Sequence, residues 1–321
     1  MSSEHILVTG ALGCIGAWVV RHLVAAGVAV TVFDLSNKAY RMQLIMGEED
    51  IARVRFVVGD IADPQAVTDT VAASGATTII HLAALQIPAC RANPTLGAQV
   101  NVVGTVNVFE AARKAGHRRL VYASSAAVYG PVEEYPPGPL ADDAPLLPRS
   151  LYGVFKQADE GIARVYWHEH GISSIGLRPY VVYGPGRDQG LTSSPTKAML
   201  AAAAGAPYHI AYGGHFDMQY AGDVARSMIA ALHVPFDGSR AFNLGGTVVH
   251  MADVVAAITR AAPASRGQIS FDEKSLGYPE AMDGSAARAV LGDLSVTPLD
   301  AGVAETVAIF RRALDKGLIA P

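Results

Sequence analysis

The stretch VTGALGCIG, residues 8–16, constrains this chain more than any other. It sets Gly10, Gly13 and Gly16 three residues apart, after a β-rich run (HILVT, 5–9) and at the head of an apolar helical pattern from about Ile15 to Ala26. A strand handed to a helix through a glycine turn leaves backbone N–H groups and the positive helix end facing outward. A pyrophosphate needs that surface, and only glycine lets the backbone come close enough. Gly27 stops the helix, and VAVTVFD (28–34) is a second strand ending in Asp34, where a carboxylate can accept hydrogen bonds from an adenosine ribose. The same carboxylate opposes a 2′-phosphate: two such charges ~4 Å apart repel by about 4 kcal/mol at an effective dielectric near 20. NAD is therefore expected over NADP, with Lys38 and Arg41 close by as the residues that could soften the preference. A plain tight turn followed by a surface Asp is the competing reading.

The strand–helix alternation continues. VRFVVGD (54–60), TTIIHLA (77–83), RRLVYAS (118–124) and SSIGLRP (173–179) are short β-branched runs, most of them separated by helix-like segments. This rhythm calls for a parallel sheet covered on both faces, wound right-handedly. The fold class expected is α/β: a Rossmann-type doubly wound parallel sheet with a smaller C-terminal substrate-binding domain. Residues 1–184 make the first domain, with a return segment at about 220–246 that includes the sheet-like AFNLGG (241–246). Residues 185–219 and 247–321 make the second. The Pro- and acid-rich 130–150 reads as a loop.

Half of the 321 residues are apolar, which suits a large core. A net charge of −4 without any Lys/Arg run argues against a nucleic-acid partner. The apolar runs are too short or too interrupted for a membrane span, and the N-terminus has no secretory pattern. Two cysteines, Cys14 and Cys90, make neither a disulfide framework nor a zinc site, so the cytoplasm is expected. His168 and His170 are two apart and diverge on a helix, so no metal is expected.

SLYGVFKQADEGIARVY (150–166) reads as a helix with Tyr152 and Lys156 on one face. A free phenol titrates near pH ~10, and bringing it to about 7 takes roughly 4 kcal/mol of differential stabilisation of the phenolate. A nearby ammonium together with an oxidised nicotinamide is of that magnitude. Ser125, after the RRLVYAS strand, can add a hydrogen bond to the reacting oxygen. A surface helix with a half-buried Tyr is the bland alternative.

Together TGALGCIG, FD (33–34), GDIAD (59–63), HLAA (81–84), SSAAVYG (124–130), YGVFK (152–156) and RPYVVYGPG (178–186) resemble the extended short-chain dehydrogenases/reductases, the NAD-dependent epimerase/dehydratase group. The resemblance runs from residue 6 to about 250, with weaker agreement at YAGDVA (220–225) and FNLGG (242–246). It implies Tyr152 as acid/base, Lys156 on the nicotinamide ribose, and Ser125 on the substrate hydroxyl. It also implies that Gly10, Gly13, Cys14, Ile15 and Gly16 surround the pyrophosphate and that Asp34 takes the adenosine ribose. Asp60 and Ile61 would flank adenine, and Leu82, Ala83, Ala84, Asn101 and Tyr180 would line the cofactor. Gln86, Ser125, Ala126, Arg187, Gln189 and Ser193 fall where substrate is expected. Lys197 and His215 also lie in the implied lid, and Arg187 or Lys197 could meet a carboxylate. Cys14 is expected to pack rather than react.

The chain departs from nucleotide-sugar enzymes of that group. Val181 stands where they carry Asn, Phe216 where they carry Arg, and 276–292 lacks their late arginine. Ala126 and Ala127 replace the acidic pair of the dehydratases. The expected function is hydride transfer at a secondary alcohol of a small sugar, sugar acid or polyol-like substrate. The alternatives are a UDP-hexose-type 4-epimerase and a non-catalytic NAD-binding regulator. The resemblance also implies a homodimer through a four-helix bundle, with Val102, Val106, Phe109, Ala112, Val154, Ala158 and Ile162 as interface candidates.

Overall fold

The computed structural model describes residues 4–320. Six strands alternate with helices: β1 (His5–Thr9), β2 (Ala29–Asp34), β3 (Arg55–Val58), β4 (Thr78–His81), β5 (Arg119–Ala123) and β6 (Ser173–Arg178). Then follow β7 (Val181–Tyr183), β8 (Tyr208–Ile210), β9 (His215–Tyr220), β10 (Ser239–Asn243), β11 (Thr247–His250) and β12 (Ile269–Phe271). The main sheet has seven strands in the order β10-β6-β5-β4-β1-β2-β3, and every pairing in it is parallel. Chain order reverses between β1 and β4, so the crevice for a ligand opens at their C-terminal ends.

Alternation along each strand feeds two cores. Ile6, Val8, Val32, Ile80, Val121 and Ile175 face one side, and Leu7, Phe33, Ile79, Leu120 and Tyr122 the other. The helix Ala221–His233 packs on the helix Cys14–Ala25, and β10 forms one edge of the main sheet beside β6. The strands stop short of the sequence-read bounds, because residues 59–60, 82–83 and 124 are the loops that form the crevice.

From β7 onward the rhythm loosens into a three-stranded sheet, β11-β9-β7, and the pair β12-β8. Tyr212, Phe216 and Val303 there belong to the same apolar cluster as Ile6 and Val8. The C-terminal segments thus share a core with one face of the main sheet.

Two interface candidates need correction. Phe109 and Ala112 are fully buried on the protomer's own sheet, because their side of the helix Gly104–Lys114 covers Leu7 and Ile79. The apolar side chains left exposed nearby are Val103, Leu151, Val154 and Val165. No helix among the described residues is long and apolar enough to cross a membrane.

Candidate active site

The glycine loop leaves β1 at the switch point. Gly10 N–H bonds Phe33 O at 3.0 Å while Leu82 N–H bonds Thr9 O at 3.0 Å, so the loop is pinned between the ends of β2 and β4. Gly10 has φ +67°, and a Cβ there would lie 2.4 Å from Ala83 N. At Gly16 a Cβ would lie 2.5 Å from Ala11 Cα. Gly13 caps the helix Cys14–Ala25 with no side-chain acceptor and no acid in the first turn, which leaves the N–H groups of that turn for an external anion. These features fit a dinucleotide pyrophosphate. Ile15 sits in that first turn, and burial pushes the Cys14 thiol up to about 12, so Cys14 packs as an uncharged side chain.

Asp34 accepts Leu12 N–H at 2.9 Å and Leu35 N–H at 2.8 Å, which fixes its carboxylate beside the loop. Val58 pairs with Asp34 in register, and Leu35 and Val58 are 64% and 58% exposed. The sequence reading singled out neither of these exposed apolar residues beside Asp34. Ile61 is buried, while exposed Asp60 accepts Ala62 N–H at 2.9 Å. Arg41 is no counter-argument to NAD: its guanidinium is spent on Leu12 O at 2.8 Å, Gly186 O at 3.1 Å and Asp188 at 2.8 Å. Lys38 is exposed.

Asn101 is fully buried and clamps the loop after β4, accepting Leu85 N–H at 2.7 Å and donating to Leu85 O at 2.9 Å. Leu82, Ala83 and Ala84 are half-buried along that loop, and Ala83 meets Gly10. The side chain of Asn101 therefore shapes the crevice through backbone.

The catalytic candidates stand on the next two elements. Ser125 follows β5 and caps a short turn, its Oγ accepting Ala127 N–H at 3.2 Å; Ala126 N–H bonds Pro179 O at 3.0 Å. The helix Leu151–His170 starts at Ser150, whose Oγ accepts Gly153 N–H at 3.1 Å, and ends at Gly171 with φ 65°. Tyr152 is half-buried, and among the described residues no protein group holds its hydroxyl. Lys156 is 3% exposed and donates to Ala123 O at 2.8 Å and to Asp159 at 3.1 Å. Burial acts to lower the Lys156 pKa, but Asp159 and Tyr152 outweigh it and hold it above the ordinary lysine value. Glu160 bonds Arg178 through two contacts of 2.7 Å and accepts the Ser124 hydroxyl at 2.5 Å, which ties the helix to β5 and β6. Asp159 and Glu160 also escaped the sequence reading, although Lys-x-x-Asp is itself a helical neighbour spacing.

Over the crevice lies the segment from Gly184. Arg187 donates to Gln86 at 3.1 Å and to Thr192 at 2.8 Å; its Nε is buried without a partner, and no carboxylate pairs with it among the described residues. Tyr212, which the sequence did not single out, is buried against Phe216, in the apolar cluster on which Tyr180 also packs. The hydroxyls of Tyr212 and Tyr180 are buried and unpartnered as well. Of the substrate candidates here, Ser193 is fully buried and donates its hydroxyl to Gly190 O at 2.7 Å, while Gln189 is exposed. His215 is exposed and meets His250 edge-to-face, and Lys197 is exposed on the helix Ser194–Ala204.

Residues 6–245 match the model of the NAD dependent epimerase/dehydratase family. The chain belongs to that family. It is an enzyme of the extended short-chain dehydrogenase/reductase type that works with NAD, and the regulator alternative falls away. A UDP-glucose 4-epimerase of Mycolicibacterium smegmatis is 34% identical over 95% of this chain and 98% of its own length. Among solved structures, a Thermus thermophilus UDP-glucose 4-epimerase in complex with NAD matches with a TM-score of 0.81, at 28% identity over 97% of this chain and 100% of that one. A GalE-like L-threonine dehydrogenase from Cupriavidus necator matches with a TM-score of 0.81, at 25% identity over 96% and 99%.

Proposed function

We propose that this enzyme oxidises, reversibly, a secondary alcohol of a small sugar acid or similar hydroxy acid. Bound NAD supplies the hydride acceptor. Gly10, Gly13 and Gly16 with the helix N-terminus hold its pyrophosphate, Asp34 its adenosine ribose, and Lys156 its nicotinamide ribose. Tyr152 takes the alcohol proton at its hydroxyl oxygen, Ser125 orients that alcohol, and the Lys156 ammonium stabilises the phenolate. Residues 185–219 and 247–321 serve as the substrate-binding part.

One observation carries the substrate class. Arg187 Nε and the hydroxyls of Tyr180 and Tyr212 are buried polar atoms without partners among the described residues. Buried groups of this kind are costly unless a ligand meets them, and a carboxylate is the partner an unpaired arginine N–H favours. The positions where a nucleotide diphosphate would need polar or cationic side chains hold Val181 and Phe216, both fully buried. The test is a panel of L-threonine, 3-hydroxybutyrate and galacturonate with NAD, followed by absorbance of the reduced nicotinamide. Arg187→Ala is expected to lower kcat/KM by about 10–100-fold, mostly through KM, as befits a lost charged hydrogen bond. An unchanged KM on the oxidised substrate contradicts the anchor.

A second reading, UDP-hexose 4-epimerisation, is favoured by the near full-length match to the mycobacterial epimerase. UDP-glucose in the same panel separates the two, because epimerisation gives no net reduced nicotinamide.

Exposed Val103, Leu151, Val154 and Val165 support a homodimer through the helices Gly104–Lys114 and Leu151–His170 and the turn before the first. Light scattering at micromolar concentration is expected to give twice the mass of 33.5 kDa, and Val154→Arg to return it to one protomer. Two free thiols support a reducing cytoplasm.

A further inference from the structure

We propose that Asp159 is a positioning residue for proton transfer: it holds the buried Lys156 ammonium and, by sharing its charge, sets the pH at which Tyr152 gives up its proton. This rests on the reading of Tyr152 as the base. Asp159 lies one turn beyond Lys156 on the helix Leu151–His170 and is 1% exposed. Its Oδ2 accepts the Lys156 proton at 3.1 Å, and its Oδ1 is buried without a partner. Thr105 stands against it but gives its own proton to Asn101 O at 2.6 Å. Lys156 is therefore the group that compensates this carboxylate, and its removal would leave a buried charge bare.

The other ionisable groups around the pair do not compete. Glu160, on the same helix, is satisfied by Arg178 of β6 and by Ser124. His81, on β4, bonds Thr9 at 2.7 Å and Thr105 at 3.1 Å, and burial pushes it down to about 3, so it stays neutral. Cys90, on the helix Ile87–Ala92, is pushed up by burial and stays a thiol. Tyr122, on β5, is buried and pushed up as well. Asp159 is the remaining anion beside the ammonium.

A lone ammonium attracts the phenolate, whereas an ammonium paired with a carboxylate attracts it less. The pair also keeps a desolvated lysine charged at the alkaline pH where alcohols are oxidised. Both effects have one sign. Replacing the carboxylate by a neutral group lowers the apparent pKa values of the Tyr152–Lys156 couple together.

The test is a spectroscopic tyrosinate titration of the NAD-loaded enzyme, taken as wild type minus Tyr152→Phe, and repeated on Asp159→Asn with its own Tyr152→Phe partner. The Tyr152 component is expected to titrate about one pH unit lower in Asp159→Asn, as a unit charge at this range implies. Asp159→Glu should restore the wild-type midpoint. Equal midpoints in the wild-type and Asn proteins overturn the proposal, and no substrate is needed to obtain them. Should Asp159→Asn not fold, Asp159→Ser carries the same comparison.

Discussion

Turnover of Tyr152→Phe is expected to fall by about 10²–10⁴-fold, with NAD affinity within about twofold of wild type. The substitution keeps the ring and the helix. It removes only the hydroxyl, which no protein group holds among the described residues, so no internal hydrogen bond is lost with it. What disappears is the atom that carries the alcohol proton. Lys156→Ala contrasts with it and should damage both turnover and NAD binding, because the ammonium serves the ribose and the phenolate together. Stopped-flow turnover and calorimetry on the two variants separate these roles. Near wild-type turnover in Tyr152→Phe would place the base elsewhere.

The second large effect is expected at Gly10. Its φ of +67° is disfavoured for any side chain, and a Cβ would stand 2.4 Å from the backbone nitrogen of Ala83. Gly10→Ala must push the loop after β4 away from the glycine turn, which widens the crevice where the pyrophosphate belongs. NAD affinity should fall by at least about 10²-fold. Stability should fall by about 3 kcal/mol, seen as a Tm lower by roughly 5 °C. Gly27→Ala is the control: its φ is +77°, but nothing lies within 4 Å of an added Cβ. It should lose some stability and keep its NAD affinity.

The parts that were legible in the sequence are those where local chemistry and global fold agree. Alternating β-branched runs gave the sheet, and the glycine spacing with Asp34 gave the dinucleotide crevice. The helix face shared by Tyr152 and Lys156 followed from its period. Contacts made across the fold were not legible. Arg187 reaches Gln86 from a separate segment, and Val58 comes beside Asp34 only because β2 and β3 pair in register. Ser193 carries a polar side chain in a polar run, yet its loop turns it inward. Phe109 looked like an interface residue because a helix face gives the period but not the partner it covers. Asp159 was readable in principle, three residues after Lys156, but its weight comes from burial.

The central claim is that Tyr152 takes the proton of the alcohol oxygen while a hydride leaves the carbon bearing that oxygen for NAD. It is tested most directly with the oxidised member of the hydroxy-acid panel carrying deuterium on its carbinol carbon. The wild-type enzyme is quenched after one turnover and the cofactor is weighed by mass spectrometry. One deuterium on the reduced nicotinamide, and none above background in Tyr152→Phe, is the expected result. Deuterium released to water, with the cofactor left oxidised, would contradict the account.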